Sequence, residues 1–256
     1  MKVFVIIPAA GLGTRMASRL AGPQDTKGAP TSKQFAELGG VPILVHTLRK
    51  FASVDAVNEI FVALRAAESA RFEQQLEQEG LRARVYRVEG GENRQQSVAN
   101  ALAELEKRSR PAADDVVLVH DAVRPFVDAE IIRNVIAAAA KHGAAIAGLP
   151  AVDTVKQVDR TADGAIVTST VPRERVVLAQ TPQGFLFAVL KQAFDDAQAD
   201  GFTGTDEASL VERAGHEVAV VMGSARNIKI TTPADLELAE FYLAQEKKIL
   251  TADLRG

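Results

Sequence analysis

The sequence has no cysteine and no tryptophan among its 256 residues. Without cysteine the chain cannot form disulfide bonds, thiolate zinc sites or iron–sulfur clusters, and it cannot use a cysteine nucleophile. The chain also lacks a large excess of either charge, because 30 Lys and Arg residues nearly balance 33 Asp and Glu residues and leave a formal net charge of −3. Such a chain has no overall positive electrostatic field that would attract nucleic acid or an anionic membrane. Any anion that it binds must therefore be held by local positive charge.

Long hydrophobic runs are absent as well. No apolar segment approaches the roughly 18 residues of a membrane-spanning helix, and the most apolar stretch, residues 135–152, is interrupted by charged residues, a glycine and a proline. The N-terminal run at residues 3–12 follows a single lysine and lacks a small-residue cleavage site, so it is interpreted as a buried strand rather than a signal peptide. Hydrophobic residues make up 47% and charged residues 25% of the chain, which predicts a soluble, cytoplasmic globular protein.

Short apolar runs alternate with longer helical patterns up to about residue 150. Strands are predicted at residues 3–8, 59–64, 83–88, 115–120 and 144–150. Helices are predicted between them at residues 42–52, 66–79, 94–108 and 129–141. Nearly continuous apolar strands are typical of sheets covered on both faces, and strand–helix alternation favours right-handed crossovers. The fold class is therefore predicted to be α/β, with a Rossmann-like, mostly parallel sheet and helices on both of its faces.

The pattern changes near residue 150, where a hairpin follows the strand–helix alternation. Residues 154–171 contain two short β-like runs around Asp163 and Gly164, a typical hairpin turn. Because a lone hairpin is marginal in water, we expect it to pack on something, such as a second subunit. Beyond it, helices are predicted at 185–199, 206–214 and 234–250, and strands at 217–222 and 227–231. The whole chain, residues 1–256, is predicted to be one domain with an arm at about 152–175 and a polar surface loop at 22–32.

The turn after the first strand, PAAGLGTRM at residues 8–16, is suited to an anion. Gly11 and Gly13 allow the backbone to approach an anion closely, and Arg15 adds a charge with bidentate geometry. The same Gly-x-Gly spacing occurs in plain strand-to-helix turns, so it does not identify a ligand. Met16 occupies the place of a third small residue and no acid follows the second strand, which disfavours an NAD-dependent oxidoreductase, and the sequence contains no P-loop motif.

Three further segments place candidate ligand-binding residues near the strand ends. Lys33 follows the polar loop, Arg94 and Ser97 share one face at a helix start, and Asp121 and Arg124 follow the fourth strand. Cations here would hold phosphate, and a carboxylate beside a phosphate site usually serves a divalent cation. Simpler interpretations stay open, namely a solvated lysine, helix capping, and a local ion pair between Asp121 and Arg124.

Acid–base and nucleophilic sites are not indicated by the sequence. The four histidines have no metal-ligand spacing, and His120 is interpreted as a strand-end residue whose hydrogen bonds are satisfied within the fold. No Ser-His-Asp or paired-carboxylate arrangement can be identified. Farther along the chain, Thr205 is adequately explained as a helix cap, and Lys229 as the charge of an edge strand.

Taken together and in order, these segments resemble a known family. The motifs, spread over essentially the whole chain, are PAAGLGTRM, SKQF, GGENRQQSV, VHDAVRP, DTVK, TVPRER, AQTPQGF, TDEAS and NIKITTPADLELAEFYL. In this order they resemble the 2-C-methyl-D-erythritol 4-phosphate cytidylyltransferase family. The glycine turn alone is shared by many nucleotidyltransferases, whereas HDAVRP together with TPQ, TDEAS and NIK is far more specific.

The resemblance implies a Rossmann-like fold with a protruding β-arm, a homodimer formed through that arm, and a transfer of CMP from CTP that uses Mg²⁺. It implies catalytic roles for Arg15, Lys33 and Lys229. It places near the nucleotide Ala9, Ala10, Gly11, Gly13, Gly91, Glu92, Arg94, Ser97 and Ala122. It places near the methylerythritol phosphate Asp121, Arg124, Thr181 and Thr205, and from across the subunit boundary Asp153, Thr154 and Arg173. Asp121 is also the candidate metal ligand, with phosphate oxygens supplying most other ligands of Mg²⁺.

The chain departs from the family pattern in three places. The loop between Met16 and Lys33 is longer than usual, Ser32 stands where the family usually has proline, and Arg226 stands where an acid is common. The first two departures bear on the placement of Lys33, and the third bears on the local charge near Lys229.

Other functions stay open at this point. The nearest is a cytidylyltransferase of the same architecture that acts on ribitol 5-phosphate. A sugar-1-phosphate nucleotidyltransferase that uses UTP, GTP or dTTP would share the glycine turn. A non-catalytic nucleotide-binding protein would bind CTP without releasing pyrophosphate. No nucleic-acid or membrane partner is expected.

Overall fold

A computed structural model describes residues 1–11 and 32–253, the last five of these by their helical backbone alone. These residues form eleven strands and seven α-helices. The strands are β1 Val3–Pro8, β2 Glu37–Leu38, β3 Val41–Pro42, β4 Glu59–Leu64, β5 Val85–Glu89, β6 Val116–Val119, β7 Ala144–Pro150, β8 Val155–Thr161, β9 Gly164–Val171, β10 Val177–Leu186 and β11 Ala219–Met222. The helices are α1 Ile43–Ala52, α2 Ser69–Gln78, α3 Arg94–Ser109, α4 Ala129–His142, α5 Phe187–Ala199, α6 Glu207–Arg213 and α7 Pro233–Asp253.

Seven strands form the central sheet in the order β11–β7–β10–β6–β1–β4–β5. Strands β6, β1, β4 and β5 pair in parallel, as do β7 and β11, so the predicted mostly parallel α/β sheet is confirmed. Strand β10 pairs antiparallel with both of its neighbours. The sequence prediction missed this strand, because its middle residues Thr181, Pro182, Gln183 and Gly184 interrupt the apolar pattern.

Both faces of the sheet are covered by helices, as the apolar strands predicted. In β1, Val5 and Ile7 pack in one buried cluster with side chains of α1, α2 and α4. The alternate residues Phe4 and Ile6 pack in a second cluster with side chains of α3, α5 and α6. Successive side chains of a strand point to opposite faces, so one strand contributes to both layers of the core.

The chain order creates a switch point between β1 and β6. From β1 the chain continues to β4 on one side, and it later returns to place β6 on the other side of β1. Ligands of open α/β sheets bind at such a point, beyond the carboxyl ends of the strands. The segments that follow β1 and β6, which contain Ala9 and Asp121, therefore meet where a ligand is expected.

The predicted hairpin is confirmed as a separate two-stranded sheet formed by β8 and β9. Nearly every residue in it is exposed, including Ile166 at 64% and Val167 at 57%. The apolar side chains of this arm therefore lack a partner within the chain that the structure describes.

The predicted strand at residues 227–231 is wrong, because this segment runs irregularly and has no ladder partner in the part of the chain that the structure describes. The Ile230 N–H donates to the Val123 carbonyl at 2.9 Å, and Ile230 and Asn227 are fully buried. The segment thus lies against the turn after β6 and carries Lys229 to it. In the described ranges, no helix has the length and apolar character required to cross a membrane.

Candidate active site

A cavity of about 230 Å³ lies beyond the carboxyl ends of β1, β5 and β6. Eleven of the residues singled out from the sequence line it, from five separated segments of the chain. They are Ala9, Ala10, Gly11, Lys33, Gly91, Glu92, Arg94, Ser97, Asp121, Ala122 and Lys229. Two further predicted residues, Gly13 and Arg15, lie outside the described residues.

The residues that follow β1 and β5, Ala9 and Gly90, are both held against the end of β4. The Ala9 N–H donates to the Ala63 carbonyl, and the Gly90 N–H donates to the Leu64 carbonyl, each at 2.8 Å. A Cβ added at Gly90 would lie 2.2 Å from the Ala10 Cβ. Since real Cβ atoms do not approach so closely, only glycine at position 90 allows the two walls of the cavity to meet in this way.

The N-terminus of α3 forms a second wall. The Asn93 side chain caps the helix by accepting a hydrogen bond from the Gln96 N–H at 2.8 Å. The buried Ser97 hydroxyl accepts from the Gly91 N–H at 3.1 Å and donates to the Asn93 carbonyl at 2.8 Å. Ser97 thereby fixes the Gly91 loop, while the positive end of the helix faces the cavity, where it favours an anion.

Asp121 lies at the centre of three cations. Its Oδ2 is 2.8 Å from the Lys229 Nζ and 3.2 Å from the Arg124 Nε, and its Oδ1 is 3.5 Å from the Arg94 Nε. Burial alone would raise the pKa of Asp121, but the positive charges of Lys229, Arg94 and Arg124 outweigh burial and hold the pKa well below its ordinary value. Asp121 is therefore a carboxylate near neutral pH, and it orients the cations around it.

Arg94 has a second partner that sequence analysis missed. Its Nη1 lies 2.6 Å from Oε1 of Glu207, which is 1% exposed. Burial raises the pKa of Glu207, and the positive charge of Arg94 opposes that rise. No sequence signal pairs Glu207 with an arginine 113 residues away.

His120 connects the turn after β6 to β10. Its Nε2 lies 3.1 Å from the Arg124 carbonyl, so this nitrogen carries the proton and donates. Its Nδ1 then accepts from the Thr181 hydroxyl at 3.0 Å, and the Thr181 oxygen accepts from the Asp121 N–H at 3.1 Å. Burial lowers the pKa of His120 to about 4. The structure thus agrees with the interpretation of His120 as a residue whose hydrogen bonds are satisfied within the fold.

Two predicted substrate residues lie behind the cavity wall. Arg124 contacts Asp121 and donates from Nη1 to the Asn227 carbonyl at 2.8 Å. Thr181 is buried, and its carbonyl accepts from the Asn227 Nδ2 at 2.8 Å. Both support Asp121 rather than line the cavity.

The structure does not bring four predicted substrate residues to this cavity. Asp153, Thr154 and Arg173 are exposed at the base of the arm, where Arg173 donates to the Val152 carbonyl at 2.7 Å. Thr205 is exposed too, and its interpretation as a helix cap is wrong. The cap of α6 is Asp206, whose Oδ1 accepts from the Ser209 N–H at 3.0 Å.

Several contributing residues were missed although they adjoin predicted ones. Pro8, Gln34, Asn93 and Val123 line the cavity. Gln183 is buried and joins β10 to α6, because it donates to Asp206 at 2.7 Å and accepts from the Ala208 N–H at 3.1 Å. The only sequence signal of these residues is their position beside the recognised motifs.

Arg226, which departs from the family pattern, does not line the cavity. Its guanidinium stacks 4.8 Å from the centre of the Tyr242 ring.

Comparisons with known proteins agree over almost the whole chain. The family model for 2-C-methyl-D-erythritol 4-phosphate cytidylyltransferase matches residues 3–245. A protein of that name from Acidobacterium capsulatum is 58% identical over 245 residues, which cover 96% of this chain and 98% of that protein. Another, from Solibacter usitatus, is 51% identical over 246 residues, with 96% and 97% covered.

Solved structures are similar as well. The 2-C-methyl-D-erythritol 4-phosphate cytidylyltransferase of Francisella tularensis superimposes with a TM-score of 0.75 and 35% identity, covering 94% of this chain and 99% of that one. The 4-diphosphocytidyl-2C-methyl-D-erythritol synthase of Anaerococcus prevotii gives a TM-score of 0.77 with 29% identity, covering 95% and 96%.

Proposed function

The chain belongs to the 2-C-methyl-D-erythritol 4-phosphate cytidylyltransferase family, and from this premise we propose that it transfers CMP from CTP to the phosphate of 2-C-methyl-D-erythritol 4-phosphate. The products are 4-diphosphocytidyl-2-C-methyl-D-erythritol and pyrophosphate, in the non-mevalonate route to isoprenoid precursors. The observation that carries the proposal is the convergence of Lys33, Arg94 and Lys229 on one cavity at the switch point of the sheet.

The reaction forms one phosphorus–oxygen bond and breaks another. A phosphate oxygen of the methylerythritol phosphate attacks the α-phosphorus of CTP, and the bond to pyrophosphate breaks. A phosphate monoester is largely dianionic at neutral pH, since its second pKa is about 6, so the nucleophile needs no general base. A reaction without a general base is consistent with the state of His120, the histidine beside Asp121. Both of its ring nitrogens are engaged in hydrogen bonds within the fold.

Bringing a dianion against a polyphosphate is the main barrier that the site must lower. Two unit charges 4 Å apart repel by roughly 4 kcal/mol at an effective dielectric constant near 20, and several such pairs are involved. Preorganised cations offset this repulsion and align the reacting groups. Lys229 is held by Asp121 for this purpose, and we assign Lys33 and Arg15 to the triphosphate and the transition state.

We also propose Mg²⁺ as the cofactor. Among the described residues, no group of three or more histidines and carboxylates is placed to hold a metal ion. Asp121 lines the cavity, and its Oδ1 is 3.5 Å from the Arg94 Nε, too far for a good hydrogen bond. This oxygen can therefore ligate a cation whose remaining ligands are phosphate oxygens and water, as is usual for Mg²⁺. When bound, the ion would neutralise part of the polyphosphate charge.

The homodimer is proposed on the composition of the arm. Val158 is 41% exposed, and Ile166 and Val167 are more so, which is unusual for neighbouring apolar side chains of a protruding hairpin. A second copy that covered these side chains would also bring its own Asp153, Thr154 and Arg173 near the substrate. A cytoplasmic location remains a prediction from the sequence.

The test is pyrophosphate release by the purified protein. CTP with 2-C-methyl-D-erythritol 4-phosphate and Mg²⁺ should give turnover, whereas ribitol 5-phosphate should give little. A panel of UTP, GTP and dTTP with sugar 1-phosphates tests the broader nucleotidyltransferase alternative. Binding of CTP without pyrophosphate release from either polyol phosphate would contradict the proposal and favour a non-catalytic nucleotide-binding protein.

A further inference from the structure

Ser32 is joined by its side chain to a carboxylate from another part of the fold. The Ser32 hydroxyl donates to Oε1 of Glu68, 36 residues away, and Ser32 is fully buried. The same Glu68 oxygen accepts from the Arg65 Nη2 at 2.9 Å. Glu68 belongs to the 3-10 turn Ala66–Glu68 that follows β4, so the hydrogen bond ties Ser32 to the central sheet.

The residues after Lys33 are also held firmly. The Gln34 side-chain amide donates to the Ala9 carbonyl, at the end of β1. Phe35 is 2% exposed in the core, and the Arg71 guanidinium lies 5.3 Å from the centre of its ring. The 3-10 helix Lys33–Phe35 is closed by the bond from the Phe35 N–H to the Ser32 carbonyl at 2.9 Å.

Lys33 is therefore fixed on both sides, and it lines the cavity. We propose that the Ser32–Glu68 hydrogen bond is a positioning device for Lys33, which holds the backbone before this lysine so that its ammonium meets the anionic substrate. The proposal deepens the proposed function and depends on it. Ser32 and Glu68 are positioning residues in this scheme, because neither lines the cavity.

The backbone of Ser32 indicates what the hydrogen bond restrains. Its φ of −67° and ψ of 148° are values that proline adopts without strain. Within the described residues, the Ser32 N–H donates to no acceptor, so a proline would remove no backbone hydrogen bond among them. The side-chain hydrogen bond restrains φ of Ser32 here, and a proline ring would restrain the same angle covalently. Alanine has neither the hydrogen bond nor the ring, so it would leave φ unrestrained.

This difference defines the experiment. We expect Ser32→Ala and Glu68→Ala to lower kcat for the CTP reaction by roughly 10- to 100-fold, since small misplacement of a catalytic group has effects of that size. The KM for 2-C-methyl-D-erythritol 4-phosphate should change little. Ser32→Pro should keep kcat near that of the wild type. Ser109→Ala is the matched control, because Ser109 donates in the same way to Glu59 elsewhere in the fold.

A second comparison separates positioning from general damage. In a Lys33→Ala background, Ser32→Ala should lower kcat no further, because the group that it positions is gone. A wild-type kcat in Ser32→Ala, or in Lys33→Ala, would overturn the proposal. So would equal losses of kcat in Ser32→Ala and Ser32→Pro when both variants fold. A further loss of kcat from Ser32→Ala in the Lys33→Ala background, as large as in the wild type, would also overturn it. If Ser32→Pro does not fold, as thermal melting would reveal, the Lys33→Ala background decides. Failure of the proposed function is distinguishable, because the wild-type protein itself would then lack turnover.

Discussion

Arg94 and Glu207 form a partly buried ion pair whose Nη1–Oε1 distance is 2.6 Å, at the boundary between the cavity and the core. The carboxylate lies on the core side and is 1% exposed, and the guanidinium lines the cavity. The second Glu207 oxygen is buried and has no hydrogen-bond partner within the described part of the chain. The orientation of an arginine that lines the cavity is thus set by a residue that is not part of the cavity lining.

Glu207→Gln should destabilise the protein by about 3 kcal/mol, because removing the buried partner of Arg94 leaves its charge with only the more distant carboxylate of Asp121. Urea unfolding at neutral pH measures this free energy. Asp195→Asn is the control, since it removes the exposed Lys191–Asp195 pair, which is worth about 0.5 kcal/mol or less. Equal effects of the two substitutions would contradict the structural role assigned to Glu207.

His120 should make the folded protein sensitive to acid above pH 4. Its pKa is about 4 in the folded state and 6.5 in the unfolded chain, so between these values the unfolded state binds the extra proton. The stability contributed by neutral His120 is therefore present above pH 6.5 and is lost as the pH falls toward 4. From pH 7 to pH 5 the loss should be about 2 kcal/mol.

The measurement is the free energy of unfolding at both pH values in wild type and His120→Gln. Glutamine does not titrate, so the difference between the two proteins isolates His120 from the carboxylates, which titrate in both. An unchanged slope in His120→Gln would refute the assignment.

Two glycines at the cavity should respond differently to alanine. A Cβ at Gly90 would collide with the Ala10 Cβ, whereas one at Gly11 meets no atom of the described residues within 4 Å. Gly90→Ala should therefore destabilise the protein by roughly 1–3 kcal/mol. Gly11→Ala should leave stability unchanged and raise the KM for CTP, because the methyl group occupies space assigned to the nucleotide. Thermal melts and CTP titrations separate the two effects, and a reversed pattern would contradict the geometry.

Lys229→Met should lower kcat by about 100-fold or more, the usual cost of removing a preorganised group that stabilises developing charge. The loss should appear mainly in kcat rather than in the KM for CTP. Arg226→Met is the matched control, because it removes the same charge three residues earlier, where the side chain stacks on Tyr242. Steady-state kinetics of both variants measure the difference. Similar kcat values in the two variants would argue against a catalytic role for Lys229.

Val167→Asp should convert the proposed dimer into monomers, because a charge would replace an apolar side chain that is 57% exposed on the arm. Sedimentation equilibrium measures the change in mass. Phe241→Asp, an equally drastic change at a residue 57% exposed on α7, should leave the mass of the dimer unaltered. A monomeric wild-type protein at micromolar concentration would disprove the proposed assembly.

The sequence predicted the parallel half of the sheet well, because buried parallel strands are recognisable as short continuous apolar runs. Strand β1 at Val3–Pro8, β4 at Glu59–Leu64 and β7 at Ala144–Pro150 begin and end where the pattern predicts. Strand β10 was missed because polar residues inside a strand interrupt the apolar pattern. A strand at 227–231 was wrongly expected because apolar residues inside an irregular segment imitate that pattern.

The amino-acid sequence by itself determined which segments carry the chemistry, because glycine turns, caps and charged residues after strands are local signals. Only the tertiary structure decided which charges meet. Asp121 gathers Arg94, Arg124 and Lys229 from three segments, and Glu207 reaches Arg94 through the core. Pairing of this kind depends on strand order and on the burial of each side chain, which are properties of the packed fold and leave no trace in sequence spacing.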